Sequence, residues 1–329
     1  MRIPPLAALI AVPALVLGLA ACTPEAAPDT PDTAGTDTPT ACAPSGPMSE
    51  AVEVSGDFDT EPTVTFAAPL SVTATQRTIV IEGDGTEVQD GALTQVHFAL
   101  YNGETGQLST STGYDPSTLV QATVDEDVFL PGLVQTLRCS TVGSRIVSVV
   151  PASAAFGDQG NTDLGVGPGE PVVFVIDLVG VVPTQAEGDS VPLPDGFPDV
   201  TWADDGQPTV TIPDADPPAE LKVATVITGT GPTVAANESL LVQYQGVNWT
   251  TGEVFDESWG KGPATFSTAP GALIDGFTAA LVGQTVGSRV VVIIPPDQGY
   301  GPTGGQSDAG ISATDTLVFV IDILVSQPA

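Results

Sequence analysis

The chain has 329 residues, of which 42% are apolar and 14% charged, and its 40 acidic residues against 7 basic ones leave a formal charge of −33. So acidic a balance excludes nucleic acid as a partner, which needs a basic surface, and offers nothing to anionic lipid head groups; its plainest consequence is solubility. With one histidine, and no cysteine pair at zinc-ligand spacing, neither a His-based triad in the second half nor a metal site is expected.

The chain opens with Met1-Arg2 and an apolar run from Ile3 to Ala21, the layout of a secretory signal over residues 1–21. It ends in Leu19-Ala20-Ala21-Cys22, which matches the bacterial lipobox. Cleavage before Cys22 and acylation of its thiol would attach the protein to the outer face of the cytoplasmic membrane, an extracytoplasmic location resting on acyl chains alone. The alternative is a membrane-spanning anchor, against which stand Pro4, Pro5, Pro13 and the cysteine in register. Residues 22–50, dominated by Pro, Thr, Ala and Asp, read as a disordered, lipid-anchored tether. An oxidising exterior favours pairing Cys42 with Cys139, and the other outcome is two buried, unpaired thiols.

An internal repeat follows. Pro62-Thr63-Val64-Thr65 recurs as Pro208-Thr209-Val210-Thr211, and Val80-Ile81-Glu82-Gly83 as Val226-Ile227-Thr228-Gly229. Thr141-Val142-Gly143-Ser144-Arg145 returns unchanged at 285–289, and Val173-Phe174-Val175-Ile176-Asp177 at 318–322. One domain has been duplicated, giving domains at 51–181 and 207–329 joined by a linker at 182–206, in which Phe197 and Trp202 suggest partial docking.

Each repeat reads as mostly β. The segments Leu240 to Tyr244, Arg289 to Ile294 and Thr316 to Leu324 are short, rich in Val, Ile and Phe, and bounded by turn formers. Helical spacing of apolar residues occurs between Gly276 and Gly283, enough for one short helix lying on a sheet.

In the second repeat these residues resemble the FKBP-type peptidyl-prolyl cis/trans isomerases. Val242-Gln243-Tyr244-Gln245-Gly246 is similar to the family's first core strand, and Gly252 to Ser258 to its Gly-x-x-Phe-Asp-Ser-Ser turn. Leu273-Ile274-Asp275-Gly276-Phe277 resembles the start of its only helix. Ile294-Pro295-Pro296, Tyr300-Gly301, Ile311 and Thr316 to Phe319 resemble its closing strands and the loop between them. The resemblance covers about Leu221 to Val325. It implies an α+β fold of tandem FKBP-like domains, each a twisted antiparallel β-sheet wrapped on one short helix.

The resemblance also implies an enzyme without cofactor, a peptidyl-prolyl isomerase that assists folding of exported proteins at the cell envelope. Its partners would be proline-containing polypeptides, and it would act as a monomer. Tyr244, Asp256 and Tyr300 carry over as the polar groups at the reacting bond, with Tyr300 donating to one substrate carbonyl and the Ile274 N–H to another. Phe255, Phe266, Leu273, Ile274, Phe277, Ile311 and Phe319 carry over as apolar lining, with Phe277 as the floor. The chain departs from the family pattern at Phe277, where Trp is usual, at Ala264, where an aromatic is common, and at Ser312-Ala313, where two prolines are usual.

Aligned through the repeat, Tyr244 meets Phe98, Phe255-Asp256 meets Ser109-Thr110, and Tyr300 meets Phe156. The first repeat therefore lacks both hydroxyls and the carboxylate, and a spacer or weak peptide platform is expected of it. His97, out of phase with Phe98, reads as a surface residue. A chaperone or peptide-binding lipoprotein on the same fold is the alternative function. A β-sandwich envelope protein is a third, disfavoured by the helix in each repeat.

Overall fold

The computed structural model describes residues 42–328, so Cys22 and the signal segment lie outside them. The expected tether stops short of residue 50. A helical turn, α1 (Pro47–Glu50), is seated on the first repeat, with the Met48 N–H bonded to Gln76 Oε1 at 2.9 Å. Cys42 is disulfide-bonded to Cys139, their Cα atoms 5.9 Å apart.

In the first repeat, β1 (Glu53–Ser55) and β2 (Thr63–Thr65) form a hairpin. Then come β3 (Gln76–Ile81), β4 (Leu93–Asn102), β5 (Leu108–Ser111), β6 (Val120–Thr123), α2 (Pro131–Leu137), β7 (Arg145–Val150) and β8 (Val172–Val182). The sheet runs β3-β7-β8-β4-β5, with β6 also on β4, and every pairing is antiparallel.

The second repeat uses the same plan. A hairpin of β9 (Asp199–Trp202) and β10 (Pro208–Thr211) precedes β11 (Lys222–Ile227), β12 (Glu238–Asn248), β13 (Val254–Glu257), β14 (Ala264–Ser267), α3 (Asp275–Leu281) and β15 (Arg289–Ile294). The small pair β16 (Gly305–Gln306) and β17 (Ile311–Ser312) precedes β18 (Leu317–Pro328). The sheet runs β11-β15-β18-β12-β13 with β14 on β12.

Both faces of each sheet are covered, which explains why the central strands β7, β8, β15 and β18 are nearly continuous apolar runs rather than alternating. On β15, Val290, Val292 and Ile294 pack with α3, while Val291 and Ile293 face the β9–β10 hairpin through Val200, Trp202 and Val210. The helix lies close because of Gly276: a Cβ there would stand 2.5 Å from Ile294 Cγ2. Phe277, Ala280 and Leu281 fill its buried side. Gly132 plays the same part against Val150 in the first repeat.

The repeated Arg and Asp are a buried ion pair across adjacent strands. Arg289 Nε lies 2.6 Å from Asp322 Oδ1, and Arg145 Nε 2.6 Å from Asp177 Oδ1. Charges withdrawn from water need every donor and acceptor engaged. Asp322 Oδ2 also accepts from the Ala186 N–H at 2.7 Å, and the Arg289 guanidinium sits 4.1 Å above the Trp202 ring. In the first repeat, Arg145 donates to the carbonyls of Gly56 and Thr60, and Asp177 accepts from the Asp59 N–H. Each pair thus pins the segment preceding its own sheet.

Two expectations change accordingly. The segment 182–206 is more than a linker: Val182 ends β8, Gln185 and Ala186 bind the Arg289–Asp322 pair, and Asp199–Trp202 is a strand. His97 is buried, 1% exposed, with Nδ1 3.0 Å from Thr112 Oγ1 and Nε2 3.5 Å from Asp59 Oδ1. The phase argument fails because the face of β4 opposite the helix is roofed by the chain around the first hairpin. Among the described residues, no helix is long and apolar enough to cross a membrane.

Candidate active site

Five elements of the second repeat each contribute one aromatic ring to a single cluster. Tyr244 comes from β12, Phe255 from β13, Phe266 from β14, Phe277 from α3 and Phe319 from β18. Consecutive rings meet edge to face: Tyr244–Phe266 at 5.2 Å, Phe266–Phe277 at 5.4 Å, Phe277–Phe319 at 5.0 Å and Phe319–Phe255 at 5.5 Å between centroids. The ring quadrupole favours this geometry over stacking. Together they wall a cavity of about 440 Å³, with Phe277, 3% exposed, as its most buried ring.

Polar groups gather at the same cavity. The Tyr244 hydroxyl donates to Asp256 Oδ2, and Asp256 Oδ1 accepts from the Glu257 N–H at 2.9 Å. Burial first, then the Asp256 hydrogen bond and charge, push the Tyr244 hydroxyl well above its ordinary pKa. Tyr300 is carried between the turns Pro296–Gln298 and Gly301–Thr303, and burial and the Asp256 charge raise its pKa too. Both hydroxyls are protonated donors, that of Tyr244 directed to Asp256.

Ile274 occupies the residue before α3 in extended conformation, its carbonyl accepting from the Phe277 and Thr278 N–H groups. Leu273 and Ile274 line the cavity with Tyr300. Ile311 does not. It is 3% exposed and packs in the same core cluster as Phe277 and Phe319, its side chain turned inward from the β16–β17 pair.

Three features of the site escaped the sequence reading. Ser258 is buried, and its hydroxyl accepts from the Tyr244 N–H at 2.9 Å while donating to Gln243 Oε1, which fixes the turn carrying Phe255 and Asp256. Gly246 leaves space for two rings: a Cβ there would lie 2.5 Å from Phe255 Cζ and 2.8 Å from Phe319 Cε1. Asp275 and Asp297 line the cavity beside Asp256. A glycine opposite a Phe on the neighbouring strand was the signal available for the second of these.

The sequence pattern of the family described as "FKBP-type peptidyl-prolyl cis-trans isomerase" matches this chain twice, over residues 85–179 and 231–324. The chain belongs to the FKBP-type peptidyl-prolyl cis-trans isomerase family. An FK506-binding protein of Streptomyces anulatus is 37% identical over 119 residues, which is 36% of this chain and 95% of that protein. A probable FK506-binding protein of Corynebacterium glutamicum is 36% identical over 36% of this chain and 97% of its own length. Among solved structures, the three FKBP domains of wheat FKBP73 align with 77% of this chain and 94% of that one, at 20% identity and a TM-score of 0.34. The fold is the tandem FKBP-like α+β arrangement expected from the motifs.

The two FKBP repeats differ in what fills the space over the sheet. Strand register equates Gly246 with Leu100, Phe266 with Ala122, Phe319 with Phe174 and Tyr244 with Phe98. Phe277 corresponds to Leu133 on the helix. Of the five rings only Phe98 and Phe174 persist, 6.2 Å apart, and Leu100, 2% exposed, stands where Gly246 gives its space to the Phe255 and Phe319 rings.

Proposed function

We propose that the second repeat catalyses cis/trans isomerisation of X-Pro bonds in polypeptides and that the first repeat does not. The observation that carries this reading is the convergence of five rings and the Tyr244 and Tyr300 hydroxyls on one cavity. Rotation about the imide must overcome a resonance barrier of about 18–20 kcal/mol. Water bonded to the carbonyl favours the planar, charge-separated amide. A cavity walled by rings strips that water and binds the twisted, less polar form better, which lowers the barrier without a nucleophile or metal. Phe277 would support the proline ring. Tyr300 and the Ile274 N–H would hold the flanking carbonyls, and Asp256 would keep Tyr244 in place.

Exchange spectroscopy of an Ala-Leu-Pro-Phe peptide with the full chain tests the activity, with FK506 as a competitor. Enhanced exchange suppressed by FK506 is expected. An exchange rate equal to that of the free peptide would leave only a non-catalytic peptide-binding role.

The proposed setting is the outer face of the cytoplasmic membrane, where exported chains fold, with the protein acting as a lipid-anchored monomer. The Leu19-Ala20-Ala21-Cys22 sequence supports it, as does a disulfide between Cys42 and Cys139, a bond that persists in oxidising compartments. Metabolic labelling with palmitate should mark the wild type and miss Cys22→Ser; equal labelling of both would sink the anchor.

A further inference from the structure

Three charged side chains line the aromatic cavity, Asp256, Asp275 and Asp297, and no basic one does. They differ in availability. Asp256 is committed to the Tyr244 hydroxyl and the Glu257 N–H. Asp275 and Asp297 are exposed, and neither joins an ion pair among the described residues. They arrive from separate elements, Asp275 from the first residue of α3 and Asp297 from the turn after β15. Asp275 is also the immediate neighbour of Ile274, which lines the cavity and is proposed above to hold a substrate carbonyl through its N–H.

No cation of the second repeat balances them. Arg289 is locked to Asp322 on the opposite face of the sheet, Lys222 lies at a different cleft with Trp249, and Lys261 donates to the Glu257 carbonyl. The first repeat, which keeps only two of the five rings, has Thr110, Pro131 and Ser153 at the three corresponding positions. The carboxylates are therefore present where the five rings are present, and the matching positions of the repeat that lacks three of those rings are uncharged.

The geometry points to a charge preference: we propose that Asp275 and Asp297 make the second repeat selective for X-Pro segments carrying lysine or arginine next to the proline, and against acidic ones. This rests on the isomerase reading above. The cavity itself remains apolar, so the proline is recognised by the rings and the neighbouring residue by the carboxylate rim. The interaction is solvent-exposed. It is therefore modest for each charge, falls with salt, and acts on the binding of the segment rather than on the twisted bond.

The experiment uses the full chain and peptides Ala-X-Pro-Phe with X as Lys, Leu or Glu. Rates come from exchange spectroscopy, which avoids a coupling protease with charge preferences of its own. At low ionic strength kcat/KM for Lys should exceed that for Glu by about threefold to tenfold, with Leu as the uncharged control for turnover. The Lys-to-Glu ratio should shrink toward one in 1 M NaCl, where the screening length is about 3 Å, and equally in the double variant Asp275→Asn, Asp297→Asn. Turnover of the Leu peptide with equal rates for Lys and Glu overturns this inference alone. A ratio that survives the double variant assigns the preference elsewhere and overturns it as well. No turnover of any peptide overturns the enzymatic reading and this inference with it.

Discussion

Gly246 on β12 lies directly beneath the ring of Phe255 on β13, with room for hydrogen but not for a methyl group. The first repeat has Leu100 there and Ser109 in place of Phe255, so one side chain has been exchanged for the other across the same strand pair. Gly246→Leu should push the Phe255 and Phe319 rings out of place. Overpacking of this kind costs about 1–3 kcal/mol in stability, and displacing the rings should lower kcat/KM by about 100-fold. Turnover at the wild-type rate, with folding verified by circular dichroism, would mean the rings do not bind the proline.

Tyr101, Tyr114, Tyr244 and Tyr300 are the four tyrosines of the chain, and burial is the leading cause raising the pKa of each. In the unfolded chain they ionise near 10. Folded pKa values above unfolded ones mean that their stabilising contribution is complete below pH 10 and is lost as pH rises from there through the folded values. Phenolate absorbance of the native protein should therefore show little ionisation at pH 10 and rise only above it, coupled to unfolding. Isomerase activity should hold up to that point. A reversible native midpoint near 10 would contradict the burial and the Asp256 influence that raise Tyr244 and Tyr300.

Asp322 and Arg289 should tolerate joint replacement better than single loss. Removing one partner strands a buried charge and costs about 3–5 kcal/mol, whereas a double apolar replacement such as Arg289→Met with Asp322→Leu costs much less than the two singles combined. Urea unfolding followed by tryptophan fluorescence measures this directly, because Trp202, Trp249 and Trp259 all lie in the second repeat. Additive costs would show that the pair does not couple.

Cys42 and Cys139 close a loop with a sequence separation of 97. By the chain-entropy argument, opening it costs the first repeat about 4–5 kcal/mol. Reduction, or Cys139→Ser, should shift the far-ultraviolet dichroism transition to lower urea while the tryptophan transition of the second repeat stays in place. Coincident shifts in both signals would show that the repeats unfold as one unit.

Much of the site was legible in sequence because the family's motifs are local strings. The rings at 244, 255, 266, 277 and 319, with Asp256 and Tyr300, fall in short segments whose residue types are dictated by a ring-walled cavity. Ile311 shows where such reasoning stops: it lies in a two-residue strand whose orientation depends on its pairing with Gly305-Gln306. His97 shows the same limit, since alternation along β4 reveals two faces but not that both are covered.

By itself, the sequence determined the duplication, the order of strands around one helix, the loss of both hydroxyls and the carboxylate from the first repeat, and the acidic surplus. These follow from residue identity and short-range spacing. Tertiary structure alone decided that Arg289 and Asp322 join to hold the preceding segment, that Leu100 stands where Gly246 makes room for two rings, and that Asp275 and Asp297 meet at one rim. Each of these depends on antiparallel register or packing between segments far apart in the chain, and a one-residue slip in that register would turn every side chain to the opposite face.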